Sequence, residues 1–205
     1  MAQPSRHQVF LLSPAHCGGK RAQLLMNERA SFPLAERLRS PEGLPLGEAF
    51  SFLSGLYFRG KLAYAARFGT PHQGRPGALV ITANRGLVPA GTAIGLAELR
   101  EFGSVDIRAD DERYREPLVR DATTLAEDPD TAVVLLGSVA TGKYVDVLLD
   151  IFGERLLFPV QFVGRGDMSR GALMLRAARE GTELDYQPVA GAVRRGPRAA
   201  RIGER

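Results

Sequence analysis

Several side chains that could do chemistry follow the first apolar run of the sequence, in VFLLSPAHCGGKRAQLL from Val9 to Leu25. His16 and Cys17 are adjacent there, beside two glycines and two cations, so the stretch could be a zinc site, a thiol nucleophile, an anion-binding turn or a plain strand-to-helix turn. Zinc needs three or four ligands, whereas this chain has one cysteine and three histidines without metal-ligand spacing. Adjacent side chains at a strand end also tend to diverge, so Cys17 fits better as a small core residue. The sequence therefore predicts no metal and no cofactor.

A second stretch, GSVATGKY from Gly137 to Tyr144, matches the G-x-x-x-x-G-K pattern of a phosphate-binding loop. It follows a predicted strand and opens a predicted helix. An NTPase has Ser or Thr at the last position to hold magnesium, but this chain has Tyr144. Backbone N–H groups at a helix start attract phosphate in any enzyme class. The stretch is thus compatible with anion binding or with a plain glycine-rich turn, and less so with nucleotide hydrolysis.

Carboxylates are the other candidates, because they serve as general acids and bases. Asp167 lies in GRGDMSRG after the last predicted strand, and Asp146 lies in the helix that follows the glycine-rich stretch. Both are hypothetical catalytic residues on loop position alone. The alternative for each is a helix cap or a solvated charge.

Short apolar runs predict the strands that must position these residues. They are continuous, as in strands covered on both faces. The runs are Val9–Leu12, Ala78–Ala83, Val105–Arg108, Ala132–Leu136 and Leu156–Phe162. Helical patterns occupy Phe52–Phe68, Arg113–Glu127, Gly142–Phe152 and Ser169–Glu180, and Ala30–Gly47 predicts a short helix plus a loop. The alternation predicts an α/β fold with a mixed, largely parallel sheet of about five strands and flanking helices.

The length of 205 residues fits one ample domain. We place that domain at residues 1–189 and predict a disordered basic tail at 190–205, where five arginines face one glutamate. No signal peptide is recognisable, and no run approaches 18 uninterrupted apolar residues. We therefore expect a cytoplasmic location and no membrane partner.

The charge balance bears on the partner. The formal net charge is +4, and lysine occurs only at Lys20, Lys61 and Lys143, so arginine dominates the cations. The planar fork of arginine suits phosphate, and a basic, arginine-rich chain favours a nucleic-acid partner. A GC-rich genome would give the same composition without such a partner.

Loops beyond the carboxyl ends of parallel strands form the ligand crevice of an α/β sheet. We therefore predict that segments 13–21, 84–89, 137–144 and 164–170 meet along one rim and make an electropositive hollow. Tyr57, Tyr64 or Tyr144 would stack on an exposed base. The predicted contacts to nucleic acid or another anion are Ser13, Lys20, Arg21, Asn84, Ser138, Lys143, Arg165, Ser169 and Arg170.

Five motifs, in the same order along the chain, resemble the YaaA family of peroxide-stress proteins and a related bacterial family. They cover Val9 to about Glu180. FLLSPAHCGGKRA resembles the strand and Ser-Pro-Ala turn that open YaaA chains, and RGDMSRGALMLRAARE resembles their Arg-Gly-x-Met-Ser-Arg. The other three are FLSGLYFRGKLAYAARF, VITANRGLVPAGTAI and VVLLGSVATGKYVDVLL. The chain departs from the pattern at residues 16–19, where YaaA proteins have a lysine soon after Ser-Pro-Ala. The resemblance implies an α/β fold with a basic cleft, DNA binding and a role in limiting DNA damage.

The leading hypothesis is a DNA-binding protein that engages damaged or modified DNA in repair or defence. Its enzymatic form would be a base-acting hydrolase of the glycosylase or lyase type, which must flip the nucleotide into a pocket. One alternative is an enzyme for small nucleotides or nucleosides, with 137–144 as its phosphate-binding loop. Another is a non-catalytic stress protein that shields DNA.

Overall fold

A computed structural model describes residues 7–72, 74–193 and 196. The helices are α1 Lys20–Leu25, α2 Pro33–Arg39, α3 Leu46–Ser54, α4 Leu56–Phe68, α5 Leu96–Ser104, α6 Glu112–Ala126, α7 Gly142–Phe152 and α8 Asp167–Glu180. The strands are β1 His7–Leu12, β2 Leu44–Pro45, β3 Ala78–Ile81, β4 Leu87–Pro89, β5 Ala93–Ile94, β6 Thr131–Leu136, β7 Leu156–Pro159 and β8 Tyr186–Pro188. None of the helices within these ranges has the length and apolar character needed to cross a bilayer.

Six strands form one mixed sheet in the order β4-β3-β1-β6-β7-β8, and β2 pairs with β5 separately. The four central strands are parallel to one another, whereas β4 and β8 run antiparallel at the two edges. The α/β fold, with its mixed sheet and flanking helices, is as the sequence predicts.

The sheet is covered on both faces because successive residues of a strand point to opposite sides. In β1, Phe10 and Leu12 join one apolar cluster, to which α1–α5 and α8 contribute. Val9 and Leu11 join the other cluster, which contains the buried residues of α6 and α7. This two-sided burial explains why the central strands are continuous apolar runs.

Two of the predicted elements are wrong. Val105–Arg108 is not a strand but a loop after α5, and its charged residues Asp106 and Arg108 are exposed. Phe52–Phe68 is not one helix, because Gly55 breaks it with φ +61° into α3 and α4. That left-handed conformation is open to glycine at little steric cost.

The remaining helical predictions are confirmed within one or two residues, and β7 ends at Pro159, before a short 3₁₀ turn. The predicted disordered tail at 190–205 lies outside the described residues except at 190–193 and 196. The division at residue 189 stays a prediction.

Candidate functional site

The loops that carry the predicted site residues emerge along one edge of the sheet, because the four central strands are parallel. Two of these loops touch directly, since a Cβ atom on Gly137 would stand 2.9 Å from the Cβ of Ser13. The loop after β3 joins them through Ala83, which lines a cavity with residues of the first loop and of α7. The structure thus brings segments 13–21 and 137–144 together at the carboxyl edge. That segments 84–89 and 164–170 join the same hollow stays a prediction.

A buried lysine, Lys61, contacts the first of these loops and was not among the predicted site residues. Lys61 lies on α4 and is only 1% exposed. Its Nζ lies 2.8 Å from the carbonyl oxygen of Ser13 and 2.7 Å from the Ser13 Oγ. The amine also stands 3.9 Å from the centroid of the Tyr57 ring. Within the described part of the chain, no carboxylate comes within 4 Å of it.

Burial without an ion-pair partner changes the protonation of this amine. Desolvation lowers the pKa of Lys61 from 10.5 to about 7. The negative charge of Asp167 raises this pKa by a smaller amount, and the positive charge of Arg170 lowers it further. A substantial fraction of Lys61 is therefore neutral near pH 7. In that form the Ser13 hydroxyl can donate to Nζ, while Nζ donates to the Ser13 carbonyl oxygen.

A close crossing of α4 and α8 creates this burial. A Cβ atom on Gly60 would stand 2.6 Å from the carbonyl oxygen of Gly171, and one on Gly171 would stand 2.9 Å from the Tyr57 Cα. Only residues without a side chain allow the two backbones to approach so closely. The crossing sets Tyr57 and Lys61 beside Arg170.

Arg170 is held inside the protein. It is 8% exposed, and its Nε and Nη2 each donate to the Phe162 carbonyl oxygen at 3.2 Å. Its Nη1 lies 3.8 Å from Asp167 Oδ1, and the Asp167 side chain is 68% exposed. The guanidinium is therefore enclosed and bonded to backbone, and the contact of Arg170 with a DNA phosphate stays a prediction.

The tyrosines of the cluster stay protonated. Burial raises the pKa of Tyr57 and of Tyr144 to about 12. The Tyr57 hydroxyl is buried and has no partner at hydrogen-bonding geometry, although Arg170 and Ser13 lie near enough to lower its pKa slightly. Both tyrosines and Lys61 also respond to the charge of Asp167. Asp167 is thus the carboxylate whose charge acts on all three of these groups.

A cavity of about 260 Å³ opens beside this cluster. Phe50, Phe102 and Ile107 give it apolar walls, and Asp106 and Lys143 bring charges of opposite sign. The predicted hollow is therefore mixed in charge rather than purely electropositive, because the loop between α5 and α6 adds a carboxylate that the prediction left out.

Tyr144 and Cys17 also line this cavity. Tyr144 lines the cavity and also lies close enough to Tyr57 for their hydroxyls to interact electrostatically. It therefore links the cavity to the cluster of Lys61, Tyr57 and Ser13. Desolvation raises the pKa of the Cys17 thiol to about 12, which keeps it protonated and disfavours a nucleophilic role.

Two of the predicted stacking residues do not fit that role. Tyr64 is fully buried, and its hydroxyl contacts the Tyr186 hydroxyl and the Leu184 backbone N–H, so it cannot reach a base. Tyr57 is 7% exposed and has the Lys61 amine over its ring. Tyr144 is half-buried in the cavity wall and remains a candidate for contact with a base.

The remaining predicted residues are spread around the edge. Lys20 and Arg21 are exposed at the start of α1, and Arg21 Nη1 donates to the Phe52 carbonyl oxygen at 3.3 Å. Arg165 donates to Ser169 Oγ at 3.2 Å in the loop before α8. These contacts leave the predicted phosphate-binding role untested.

Three further predicted residues make no hydrogen bond to the Lys61 amine. Asn84 sits in the turn after β3, and its Oδ1 is buried without a partner. Ser138 is half-buried in the turn after β6. Asp146 is exposed on α7, with its carboxylate against Gly142, and its charge is not among the causes that shift the pKa of Lys61.

No group of three His, Cys, Asp or Glu side chains is placed to hold a metal ion within residues 7–72, 74–193 and 196. No protein-family model, curated protein or solved structure matches this chain. The resemblance to YaaA proteins therefore stays a prediction.

Proposed function

We propose that this protein acts on damaged or modified DNA as a base-removing enzyme of the glycosylase and lyase type, with Lys61 as its nucleophile. The observation that carries this proposal is the buried Lys61 amine beside a cavity at the carboxyl edge of the sheet. An amine attacks carbon only in its neutral form. An ordinary lysine has a pKa of about 10.4 and is almost wholly protonated at pH 7, whereas desolvation brings the pKa of Lys61 to about 7.

The reaction begins when the Lys61 lone pair attacks C1′ of a nucleotide flipped into the cavity. The new N–C1′ bond forms as the glycosidic bond breaks, and the base leaves with the bonding electrons and takes up a proton. Tyr144 can hydrogen-bond to the departing base because its hydroxyl stays protonated. Asp167 is the carboxylate that can accept the proton released by the Lys61 nitrogen.

The sugar then opens to an imine between C1′ and Lys61, with O4′ leaving C1′ and taking a proton. Loss of a proton from C2′ expels the 3′ phosphate by β-elimination. Water hydrolyses the imine, which returns the free amine. On a site that has already lost its base, the same amine condenses with the C1′ aldehyde and releases one water. No metal or redox partner is needed for these steps.

Access to Lys61 requires a side chain to move, because the amine is enclosed in this conformation. The Tyr57 hydroxyl has no hydrogen bond to break. Tyr144 lines the cavity, lies in the surroundings of Tyr57 and is only half-buried. Rotation of these rings is the simplest route by which a flipped nucleotide reaches the amine.

The proposal of DNA as the partner rests on charge. Lys20, Arg21, Lys143 and Arg165 lie at or near the carboxyl edge, and the chain has a net charge of +4. Neutralising four phosphates predicts that log K falls with log salt with a slope of about −3 to −4. The proposed resemblance to YaaA proteins implies the same partner.

Borohydride trapping tests the proposal, because the reagent reduces an imine to a stable secondary amine. The full-length protein is incubated with duplex and single-stranded oligonucleotides carrying an abasic site or one of a panel of damaged bases. A covalent adduct is expected, and peptide mass spectrometry should place it on Lys61 rather than on Lys20 or Lys143.

Lys61→Met is the matched variant, since methionine fills a similar buried volume without an amine. It should fold, as circular dichroism can verify, and should lose trapping on the order of 10³-fold. An adduct on another amine, or a folded Lys61→Met protein that still cleaves the oligonucleotide, would overturn the proposal.

A further inference from the structure

We propose that the cavity beside Tyr144 binds guanine, or a guanine-derived base that keeps N1–H and the 2-amino group, and that Asp106 reads it. This inference rests on the proposed function, which it deepens by naming the base. Asp106 lies in the loop between α5 and α6 and contributes to the cavity wall. Its side chain makes no hydrogen bond and no ion pair within 4 Å in the part of the chain that the structure describes.

The neighbouring cations are already committed to other carboxylates. Arg108 donates from Nε and Nη2 to Asp110 at 3.0 and 2.6 Å. Arg113 donates from the same two nitrogens to Asp111 at 3.0 and 2.7 Å. The charge of Asp106 still acts on both arginines and raises their pKa values, but within the described residues its carboxylate has no hydrogen-bond partner, so it can accept donors from a ligand.

The rest of the cavity is lined largely by apolar groups. Phe50 and Phe102 pack edge to face against each other and line it together with Ile107. Lys143 supplies a cation at the cavity, where it can contact a nucleotide phosphate. Apolar walls with a few polar groups are typical of small-molecule and base pockets.

The donor pattern of the base then decides which one fits. An ionised carboxylate only accepts hydrogen bonds, and its two oxygens match two adjacent N–H donors. Guanine presents N1–H beside its 2-amino group. Adenine and cytosine place a ring-nitrogen acceptor beside their amino group, and thymine places its one N–H between two carbonyls. Each of these would set a lone pair against the Asp106 charge.

Comparison of two nucleotides tests the inference, because deoxyinosine monophosphate is deoxyguanosine monophosphate without the 2-amino group. Titration calorimetry with the full-length protein should show tighter binding of the guanine nucleotide by about 10-fold or more, the equivalent of one charge-assisted hydrogen bond. Asp106→Asn should remove this preference. Asp110→Asn, the same change at a neighbouring carboxylate outside this cavity, should retain it.

Equal affinities, or no binding of the guanine nucleotide, would overturn the inference. A second contradicting result would be a preference for guanosine monophosphate over deoxyguanosine monophosphate that is larger than the preference for deoxyguanosine over deoxyinosine monophosphate. Asp106 would then bind the ribose hydroxyl instead of the base. Lys61→Met separates this inference from the proposed function. If Lys61→Met keeps the guanine preference, the base pocket does not depend on Lys61. If borohydride trapping then fails in the wild type, the inference about the pocket holds and the proposed Lys61 chemistry is wrong.

Discussion

Two groups of charged side chains occupy the same edge of the sheet, one exposed and paired with carboxylates and the other buried without one. In the loop after α5 and the first turn of α6, Arg108 and Arg113 are exposed and each makes a two-pronged contact with an aspartate. Lys61 is enclosed, and within the described residues it meets a hydroxyl, a carbonyl and an aromatic ring instead of a carboxylate.

The two groups differ in which charge state their surroundings favour. Exposed ion pairs keep their water and contribute little to stability, and their charges stay fixed near neutral pH. A buried amine without a counter-charge favours its neutral form. The fold therefore favours a neutral amine at Lys61 and leaves only surface charge at Arg108 and Arg113. Four substitutions test this difference.

The largest effect is expected from Gly171→Ala, which attacks the packing that encloses Lys61. The new methyl would stand 2.7 Å from the Leu56 carbonyl oxygen and 2.9 Å from the Tyr57 Cα. We expect a loss of about 1–3 kcal/mol in the free energy of unfolding by urea denaturation, despite the better helix propensity of alanine. Gly91→Ala is the control, because a Cβ there meets nothing within 4 Å. Equal stability of the two variants would show that the crossing is looser than described.

The second effect is a pH dependence that Lys61→Met should remove. Between pH 7 and the ordinary lysine pKa of about 10.4, the unfolded chain holds a proton on this amine that the folded protein has largely released. Stability then rises with pH, by at most about 1.4 kcal/mol per unit for one group. The contribution of Lys61 is fully present above the unfolded pKa and is lost as pH falls through about 7.

Urea denaturation at several values between pH 6.5 and 9 measures this difference between wild type and Lys61→Met. Lys143→Met makes the same substitution at an exposed lysine and serves as the control. A wild-type minus Lys61→Met difference that stays flat with pH would contradict the lowered pKa.

Much of the framework could be predicted because burial on both faces leaves a plain sequence signal. The four parallel strands are short apolar runs for that reason, and their shared direction brings Ser13 and Tyr144 to one edge. The same apolar pattern wrongly predicted a strand at Val105–Arg108, because Val105 and Ile107 line the cavity and are not part of the sheet. The edge strands β4 and β8 have three residues each, and both end in proline, so they give almost no pattern.

The decisive residue of the site could not be predicted, because a lysine within a helix is ordinarily solvated. Only the α4–α8 crossing buries Lys61, and that crossing depends on Gly60 and Gly171, which lie more than a hundred positions apart. A weak signal did exist, since Lys61 is one of three lysines in an arginine-rich chain and stands four positions after Tyr57. The enclosure of Arg170 was missed for the same reason.

The third effect concerns the Tyr57 hydroxyl, which is buried without a hydrogen bond. Tyr57→Phe removes a group that folding leaves unsatisfied, so the protein should gain up to about 1 kcal/mol in urea denaturation. Tyr64→Phe is the matched contrast, because that hydroxyl accepts the Leu184 N–H at 2.8 Å. It should lose about 1 kcal/mol. A loss of similar size in both variants would mean that the Tyr57 hydroxyl is bonded after all.

The smallest effect belongs to the exposed group. Arg108→Ala breaks the pair with Asp110, whose two side chains are both well exposed. Solvent screening makes such a pair worth little, so the urea midpoint should not change measurably. A shift as large as that of Tyr64→Phe would show that these surface pairs help to hold the edge together.

The most direct test of the account is the titration of the Lys61 amine itself. The chain has only three lysines, so protein labelled with ¹³C at lysine Cε should give three resolvable NMR signals, and Lys61→Met identifies the one that matters by its loss. We expect this signal to titrate near pH 7, because burial lowers the pKa of Lys61 to about that value. A midpoint at the ordinary lysine value of about 10.4 would contradict it, because a protonated Lys61 has no lone pair with which to attack a nucleotide.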